Sequence, residues 1–204
     1  MANGGILLCG GYGTRLLPTT KYINKHLIPI YDKPMVYYSL SILLLSGIKE
    51  ITIICNVEEK EIFYELLGSG EEFGVVFNYV TQDAPLGIPQ AINLALDKSE
   101  YEKSLTVLGD NFIFGEKFFT NLENIFEETE KVAIFSQHVK NPEEFGVVEV
   151  DEKNNVINLV EKPKDHISSR AVIGLYIFNN EFKNHFSNTE QSKRGEYEIL
   201  DVVR

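Results

Sequence analysis

The sequence predicts an α/β fold, in which a mostly parallel sheet is covered by helices on both faces. Buried apolar runs of strand length, such as residues 5–9 and 50–55, alternate with helical apolar spacing, as over residues 35–45. Consecutive strand, helix and strand segments form right-handed βαβ units, which place parallel strands side by side. Ligands bind such Rossmann-like sheets beyond the carboxyl ends of the strands, so the loops at those ends are the candidate site.

The remaining segments extend this pattern through the first half of the chain and change it in the second half. In the first half we expect a long ordered loop over residues 16–31, helices over 58–67 and 88–96, and strands over 75–80 and 104–108. In the second half we expect strands over 132–138 and 170–178 and a hairpin of strands at 146–150 and 156–160. We also expect a helix over 117–130, a short helix to residue 186 and a last helix that opens at 194–196. No repeat or linker interrupts the chain, which predicts one domain over residues 1–204 with halves 1–116 and 117–204, the second half being rich in β structure.

Composition and charge limit the class of protein. A chain of 204 residues with 44% hydrophobic and 24% charged residues is ordinary for a globular domain, and it lacks an apolar run that could span a membrane. The net charge of −11 argues against nucleic acid and anionic membranes as partners, and the N-terminus does not resemble a signal peptide, so we expect a cytoplasmic protein. Cys9 and Cys55 fall in predicted buried strands, which favours packing over a disulfide or a metal site.

The first strand runs into a glycine-rich loop. Three glycines within four positions are followed by a hydroxyl and a guanidinium, in the order Gly10, Gly11, Gly13, Thr14 and Arg15. Glycines let backbone N–H groups approach phosphate closely, and the forked guanidinium adds a permanent positive charge. The loop lacks the Gly-Lys-Ser/Thr ending of a P-loop, and Leu16 stands where a dinucleotide fingerprint needs its third glycine. We therefore expect a phosphate-binding loop of another kind.

Polar residues also follow other predicted strands, and each allows two interpretations. Asp110 is either a turn or helix-cap residue or a ligand of Mg²⁺, which prefers a carboxylate or two with phosphate oxygens and water. Gln82 is either a polar loop residue or an amide that pairs with the edge of a base. Glu161 and Lys162 are expected on opposite faces of a strand end, either as a surface ion pair or as ligand-binding groups. No histidine spacing suits a metal and no nucleophile has an activating context, which predicts chemistry without a covalent enzyme intermediate.

Taken together, these segments resemble the sugar-1-phosphate nucleotidyltransferases, and in particular the glucose-1-phosphate thymidylyltransferases. The matching stretches are residues 10–16, 24–29, 32–35, Gln82 with 85–87, 108–111, 145–148, 161–163 and 194–196. They occur in the same order from one end of the chain to the other. The resemblance implies transfer of a nucleotidyl group from dTTP or UTP to a hexose 1-phosphate, expected to be glucose 1-phosphate, with release of pyrophosphate.

The resemblance also implies a role for individual residues. It assigns the nucleotide to residues 1–116, at Leu8, Gly10, Gly11, Gly13, Thr14, Arg15, Lys25, His26, Gln82, Gly87 and Asp110. It assigns the sugar phosphate to Asn111 and to the second half, at Phe145, Gly146, Glu161, Lys162, Val172 and Arg194. The catalytic set is Arg15, Lys25, Asp110 and Lys162, with Asp110 as the ligand of Mg²⁺. Relatives generally form homo-oligomers, so we expect one here.

Three departures from the family pattern stand out. His26 occupies a position where many relatives carry glutamine, and Pro89 replaces a small residue after Gly87. Relatives continue for several tens of residues past the helix that holds Arg194, and that tail supplies a second metal-binding aspartate, whereas this sequence ends at Arg204. The chain is thus either a truncated form or one in which Asp110 holds the metal with substrate oxygens alone. Two rival functions remain open: a catalytically silent sugar-nucleotide binding protein and, less in keeping with the glycine loop, a dinucleotide-dependent oxidoreductase.

Overall fold

The computed structural model of the chain describes residues 3–115, 117–130 and 132–204. The strands are β1 (Asn3–Leu8), β2 (Pro29–Ile30), β3 (Lys33–Pro34), β4 (Glu50–Asn56), β5 (Val76–Gln82), β6 (Lys103–Leu108), β7 (Ala133–His138), β8 (Gly146–Val150), β9 (Val156–Glu161) and β10 (Arg170–Asn179). The helices are α1 (Met35–Leu45), α2 (Lys60–Leu67), α3 (Ile88–Lys98), α4 (Phe118–Glu128), α5 (Phe182–Ser187) and α6 (Ile199–Val203). The boundary that the sequence predicted at residue 116 lies outside the described residues.

Eight strands form one sheet in the order β5-β4-β1-β6-β10-β8-β9, with β7 also paired to β10. The four strands of the first half, β5, β4, β1 and β6, are parallel to one another. The strands of the second half join them through antiparallel pairs, beginning with β10 against β6. Parallel neighbours follow from helical crossovers, whereas short turns allow antiparallel neighbours. The predicted α/β fold is confirmed.

Helices cover both faces of the sheet because the central strands are apolar on both sides. On β1, Leu7 belongs to the core cluster that packs against α1, α2 and α4, and Ile6 to the cluster that packs against α3, α5 and α6. Both side chains are fully buried, and each burial of this kind stabilises the fold by roughly 1.5–3 kcal/mol. In the part of the chain that the structure describes, no helix has the length and apolarity needed to cross a bilayer.

Two segments near the site differ from the sequence prediction. The expected loop over residues 16–31 contains 3₁₀ turns at Thr19–Lys21 and Lys25–Leu27 and the first strand of the small β2–β3 hairpin. The last helix begins at Ile199 rather than at 194–196. Gly195 has a left-handed φ of 76° and Glu198 is extended, so the backbone forms a turn before α6 starts.

Candidate functional site

A cavity of about 870 Å³ opens at the carboxyl ends of the parallel strands and extends over the antiparallel part of the sheet. It is lined at one side by the glycine loop after β1 and at the other by residues that follow β6 and β9. Every residue to which the sequence analysis gave a binding, catalytic or metal role lines this one cavity. The structure thus brings the predicted site residues together, while their individual roles remain predictions.

The glycine loop requires glycine for two reasons, close contacts at Gly10 and Gly13 and left-handed backbone angles at Gly11 and Gly13. A Cβ added at Gly10 would lie 2.0 Å from Nε2 of Gln82. Gly11 and Gly13 have φ values of 93° and 60°, in the left-handed region that glycine adopts without strain. The hydroxyl of Thr20 donates to the Gly13 carbonyl at 2.7 Å and ties the loop to the segment that follows it. The loop therefore presents exposed backbone and the Arg15 side chain to the cavity.

An ion pair connects the segment after the glycine loop to the end of β6. The ammonium Nζ of Lys25 lies 2.6 Å from Oδ2 of Asp110. Burial alone would raise the pKa of Asp110, but the charge and hydrogen bond of Lys25 outweigh it and hold that pKa below its ordinary value. Asp110 is therefore a carboxylate, and Oδ1 is not engaged by Lys25.

His26 follows Lys25 in the chain and is a buried, neutral imidazole. It is 1% exposed, and its Nδ1 lies 2.7 Å from Oδ1 of Asn24, which also accepts the His26 backbone N–H. Burial, assisted by the charge of Lys25, lowers the pKa of His26 to about 3. Asn24 also donates to the carbonyl of Cys9 at 3.2 Å, so it fastens this segment to the end of β1. The sequence analysis gave Asn24 no role of its own.

Gln82 is the last residue of β5 rather than a loop residue. Its amide is 4% exposed, packs on Gly10 and donates from Nε2 to Oδ1 of Asn56 at 3.2 Å. Asn56 is the register partner of Gln82 at the end of β4. The sequence analysis gave Asn56 no role, and both residues lie beyond the ends of the strands that it predicted over 50–55 and 75–80.

The side chains of Glu161 and Lys162 do not point to opposite faces of the sheet, as consecutive residues of a regular strand do. Glu161 ends β9, and Lys162 follows with a left-handed φ of 44°, so both residues line the same cavity. A non-glycine residue with this conformation carries strain that the surrounding structure must offset. The backbone N–H of Lys162 donates to the Phe145 carbonyl at 3.0 Å and holds the turn against β8. The predicted placement on opposite faces is wrong for this reason.

The guanidinium of Arg194 lies between two carboxylates. Nη2 is 2.8 Å from both carboxylate oxygens of Glu198, and Nε is 3.2 Å from one of them. Oε1 of Glu161 lies farther away, 3.8 Å from Nη2. Burial and the charge of Glu198 raise the pKa of Glu161, against the opposing charges of Lys162 and Arg194. The sequence analysis missed Glu198, although its spacing of four residues from Arg194 was a usable signal.

The two halves of the chain meet across the cavity at Gly87. A Cβ there would lie 2.3 Å from the Tyr197 carbonyl oxygen. The φ of 109° also requires glycine, because residues with a side chain rarely adopt it. The Tyr197 N–H in turn donates to the Leu86 carbonyl at 2.8 Å. On the opposite side, the Asn111 amide packs on Gly174 of β10, where a Cβ would lie 2.3 Å from Nδ2. Glycine at these positions lets backbone and polar side chains approach one another closely.

The residues present fit Mg²⁺ as a partial set of ligands. Among the described residues, no three His, Cys, Asp or Glu side chains converge in a way that would enclose a metal ion. Asp110 offers a carboxylate at the cavity wall, with its side chain 34% exposed. Mg²⁺ is commonly bound by one or two carboxylates together with substrate phosphates and water, so a single protein carboxylate is consistent with a metal that arrives with a nucleotide.

Residues 4–204 match the family model described as nucleotidyl transferase. The chain belongs to this family. The sequence-based prediction of a nucleotidyltransferase enzyme is thereby confirmed.

Individual relatives of this nucleotidyltransferase agree with the family match. The glucose-1-phosphate thymidylyltransferase of Neisseria meningitidis serogroup A is 41% identical over 200 residues, which are 98% of this chain and 69% of that protein. That of Mycolicibacterium smegmatis is 42% identical over 198 residues, 97% of this chain and 68% of that protein. A Bacillus anthracis protein, provisionally named a glucose-1-phosphate thymidylyltransferase and crystallised with sucrose, is 38% identical with a TM-score of 0.88, covering 98% of this chain and 81% of that one. The resemblance inferred from the motifs is confirmed.

Proposed function

We propose that this nucleotidyltransferase transfers the nucleotidyl group of dTTP to a hexose 1-phosphate, in the first place glucose 1-phosphate, with UTP as the alternative nucleotide. An oxygen of the sugar phosphate attacks the α-phosphorus of the triphosphate. The bond from that phosphorus to the bridging oxygen breaks, and pyrophosphate leaves with the electron pair. The names of the relatives that are about 40% identical over nearly the whole chain support this choice of substrates.

One observation carries the proposal: four cationic side chains, together with five carboxylates, line one cavity of a chain whose net charge is −11. The cations are Arg15, Lys25, Lys162 and Arg194. The nucleophile needs little activation, because the second pKa of a phosphate monoester is about 6 and it is largely dianionic near neutral pH. The difficulty is to bring two polyanions into line, and fixed positive charge offsets their repulsion. A cavity for a neutral ligand would not require these four cations.

The nucleotide occupies the glycine-loop side of the cavity in this proposal. Backbone N–H groups of the loop and the Arg15 guanidinium bind the triphosphate, as suits a glycine-rich turn at a strand end. Lys25, which lies beside Asp110 in the cavity wall, stabilises charge on the α-phosphoryl group. Gln82 and Gly87 bind the base. These roles come from the resemblance and agree with where the side chains lie.

The sugar phosphate occupies the side formed by β8, β9 and the turn before α6. Lys162 and Arg194 bind its phosphate, and Glu161 accepts hydrogen bonds from sugar hydroxyl groups. Asn111, Phe145, Gly146 and Val172 complete the wall around the sugar. The strained φ of Lys162 supports this role, because conformations of this kind occur preferentially at functional sites.

Mg²⁺ would add positive charge to the cavity when it arrives with the nucleotide. Asp110 would hold the ion, whose chemistry there is to neutralise phosphate charge as a Lewis acid. The Asp110 carboxylate is kept ionised by Lys25, so it is available to a cation when a nucleotide enters. Lys25 thus pairs with the Asp110 carboxylate in the structure and contacts the phosphates once the nucleotide is bound.

A panel of nucleoside triphosphates against several sugar 1-phosphates, scored by pyrophosphate release with and without Mg²⁺, tests the proposal. We expect turnover with dTTP and glucose 1-phosphate in the presence of Mg²⁺, and its loss on chelation. Binding of the substrates without pyrophosphate release under any combination would favour the rival, a catalytically silent sugar-nucleotide binding protein. Turnover that does not need a sugar phosphate would contradict the assignment of the second substrate.

A further inference from the structure

Lys25, one of the four cations of the cavity, lies on a short 3₁₀ turn outside the main sheet. The turn covers Lys25–Leu27, and the segment that precedes it contains exposed residues such as Tyr22. A 3₁₀ turn of three residues has little stability of its own, because its hydrogen bonds are poorly aligned. Contacts with the rest of the fold therefore decide where the Lys25 backbone lies.

The position of that backbone matters because the Lys25 side chain is long and flexible. Its Nζ lies 2.6 Å from Oδ2 of Asp110, and its stem passes close to the glycine loop, where a Cβ added at Gly13 would lie 3.3 Å from Cβ of Lys25. A lysine ammonium is carried on a four-carbon stem with several rotatable bonds. A small shift of the backbone would let Nζ take other positions and separate it from Asp110.

The two ends of the turn are held by different contacts. At the carboxyl end, Leu27 packs against the core cluster on the α1 face of the sheet. At the amino end, Asn24 is the N-cap residue, and its Oδ1 accepts the backbone N–H of His26 at 2.8 Å. The Nδ2 group of Asn24 donates to the carbonyl of Cys9 at 3.2 Å. Asn24 therefore ties the start of the turn to the end of β1, directly before the glycine loop.

The orientation of the Asn24 amide follows from two neighbours independently. The Cys9 carbonyl can only accept, so it requires the NH₂ group of Asn24, and the His26 backbone N–H can only donate, so it requires Oδ1. Oδ1 also lies 2.7 Å from Nδ1 of His26, which therefore carries the proton of the neutral ring. One amide thus fixes the chain on both sides of Lys25.

We propose that Asn24 is a positioning residue that acts through Lys25, because it holds the turn so that the Lys25 ammonium is in place for the α-phosphoryl group. The inference rests on the proposed function, since it takes Lys25 as a charge that stabilises the transition state. It extends that function to a residue that is not among the described residues lining the cavity. Displacement of a catalytic group by about 1 Å can lower a rate by about a hundredfold.

A double-mutant cycle in kcat, with dTTP, glucose 1-phosphate and Mg²⁺, tests this role. Asn24→Ala removes both hydrogen bonds of the amide, and we expect kcat to fall about tenfold or more. In a Lys25→Met background the same substitution should lower kcat by less than about twofold, because the ammonium that Asn24 positions is already absent. A merely structural role would lower kcat by the same factor in both backgrounds and would overturn the inference.

Further variants separate the hydrogen bonds of Asn24 from other effects of the substitution. Asn24→Ser keeps an oxygen that can accept the N–H at an N-cap, so we expect it to restore kcat to within about threefold of the parent protein. Asn78→Ala is the matched control, because Asn78 is exposed, donates to Glu50 at 2.8 Å and is not among the described residues lining the cavity. We expect it to leave kcat unchanged. Should Asn24→Ala fail to fold, Asn24→Gly removes the same groups with the same expected loss, since glycine is tolerated at an N-cap.

Failure of the inference and failure of the proposed function give different results. An active parent protein with an equally active Asn24→Ala variant would overturn the inference and leave the function intact. A parent protein without turnover would overturn the function, and crystal structures of the parent protein and of Asn24→Ala would then decide on Asn24. Separation of Lys25 Nζ from Asp110 Oδ2 in the variant alone would support the positioning role, and the same distance in both structures would overturn it.

Discussion

The Lys25 ammonium lies 2.6 Å from Oδ2 of Asp110, although 85 positions separate the two residues in the sequence. The pair joins the segment after the glycine loop to the end of the neighbouring strand β6, in the wall of the cavity. We expect Lys25→Met to fold and to lose turnover by about two to three decades, because removal of one charge that stabilises the transition state costs a few kcal/mol. Lys21→Met, in the same exposed segment, is the control that should retain activity. Steady-state kinetics with circular dichroism would check both, and a Lys25→Met variant of normal rate would remove Lys25 from the mechanism.

Arg15 and Lys162 lie on opposite sides of the same cavity, one in the glycine loop and one in the strained turn after β9. We expect Arg15→Ala and Lys162→Ala to fold normally and each to lose about two to three decades in kcat. Lys164→Ala, two residues along the same exposed turn, is the matched control for position 162 and should change little. Near-normal rates in both cavity variants would refute the assignment of the phosphates to these cations.

Glu198 orients Arg194 through hydrogen bonds to Nε and Nη2. We expect Glu198→Gln to raise the KM for the sugar phosphate by up to about fivefold, since a partly exposed ion pair contributes on the order of 1 kcal/mol or less. The KM for the nucleotide should stay unchanged, because Arg194 is assigned to the other substrate. Asp201→Asn, which breaks the neighbouring pair with Arg204, is the control. Equal changes in both KM values would argue against this division of the cavity.

Gly87 and Gly74 both have positive φ, but only Gly87 is crowded. Gly74→Ala has open space around it, so its cost should be the backbone strain alone, roughly 1–2 kcal/mol. Gly87→Ala adds a clash with the Tyr197 carbonyl, and its φ of 109° with ψ of 165° is a conformation that only glycine tolerates. We therefore expect a clearly larger fall in the free energy of unfolding, measured by urea denaturation, together with weaker nucleotide binding. Equal losses in the two variants would show that the contact between the halves is not rigid.

His26 makes the folded state sensitive to acid. Its pKa is about 3 in the fold and 6.5 ordinarily, so the unfolded chain binds the proton first as pH falls. The stability that neutral His26 contributes is complete above about pH 6.5 and is lost towards pH 3, by up to about 1.4 kcal/mol per pH unit. We expect His26→Gln to lose less stability than the parent protein between about pH 7 and pH 5, where carboxylates contribute little. Urea midpoints at both pH values measure this, and equal losses in the two proteins would show that His26 does not carry the effect.

Most of the fold could be predicted because the sequence patterns that indicate it lie within short segments of the chain. The alternation of strand and helix periods gave the parallel half, and the hairpin of β8 and β9 appeared with its turn at residues 151–155. The start of α6 was misplaced because Gly195 and the extended Glu198 depend on contacts with the rest of the fold. The positive φ of Lys162 depends likewise on the Phe145 carbonyl of a neighbouring strand.

The site shows the same division between local and long-range information. Residues that carry a motif, such as Arg15 and Asp110, could be proposed from the sequence and resemblance. Asn56, which accepts a hydrogen bond from Gln82, and Glu198, which accepts one from Arg194, belong to no sequence motif. Such residues are identified only from the strand register and the hydrogen bonds of the structure. The four cations were each proposed from the resemblance, and the structure adds that their side chains line one cavity.

The central claim is direct transfer between two phosphorylated substrates within one cavity. A single-turnover experiment with dTTP labelled at the α-phosphorus, glucose 1-phosphate and Mg²⁺ tests it most directly. The account predicts that the label moves into a nucleotide sugar in step with pyrophosphate release and never becomes attached to the protein. Intact dTTP in the presence of both saturating substrates, or label bound covalently to the chain, would contradict it.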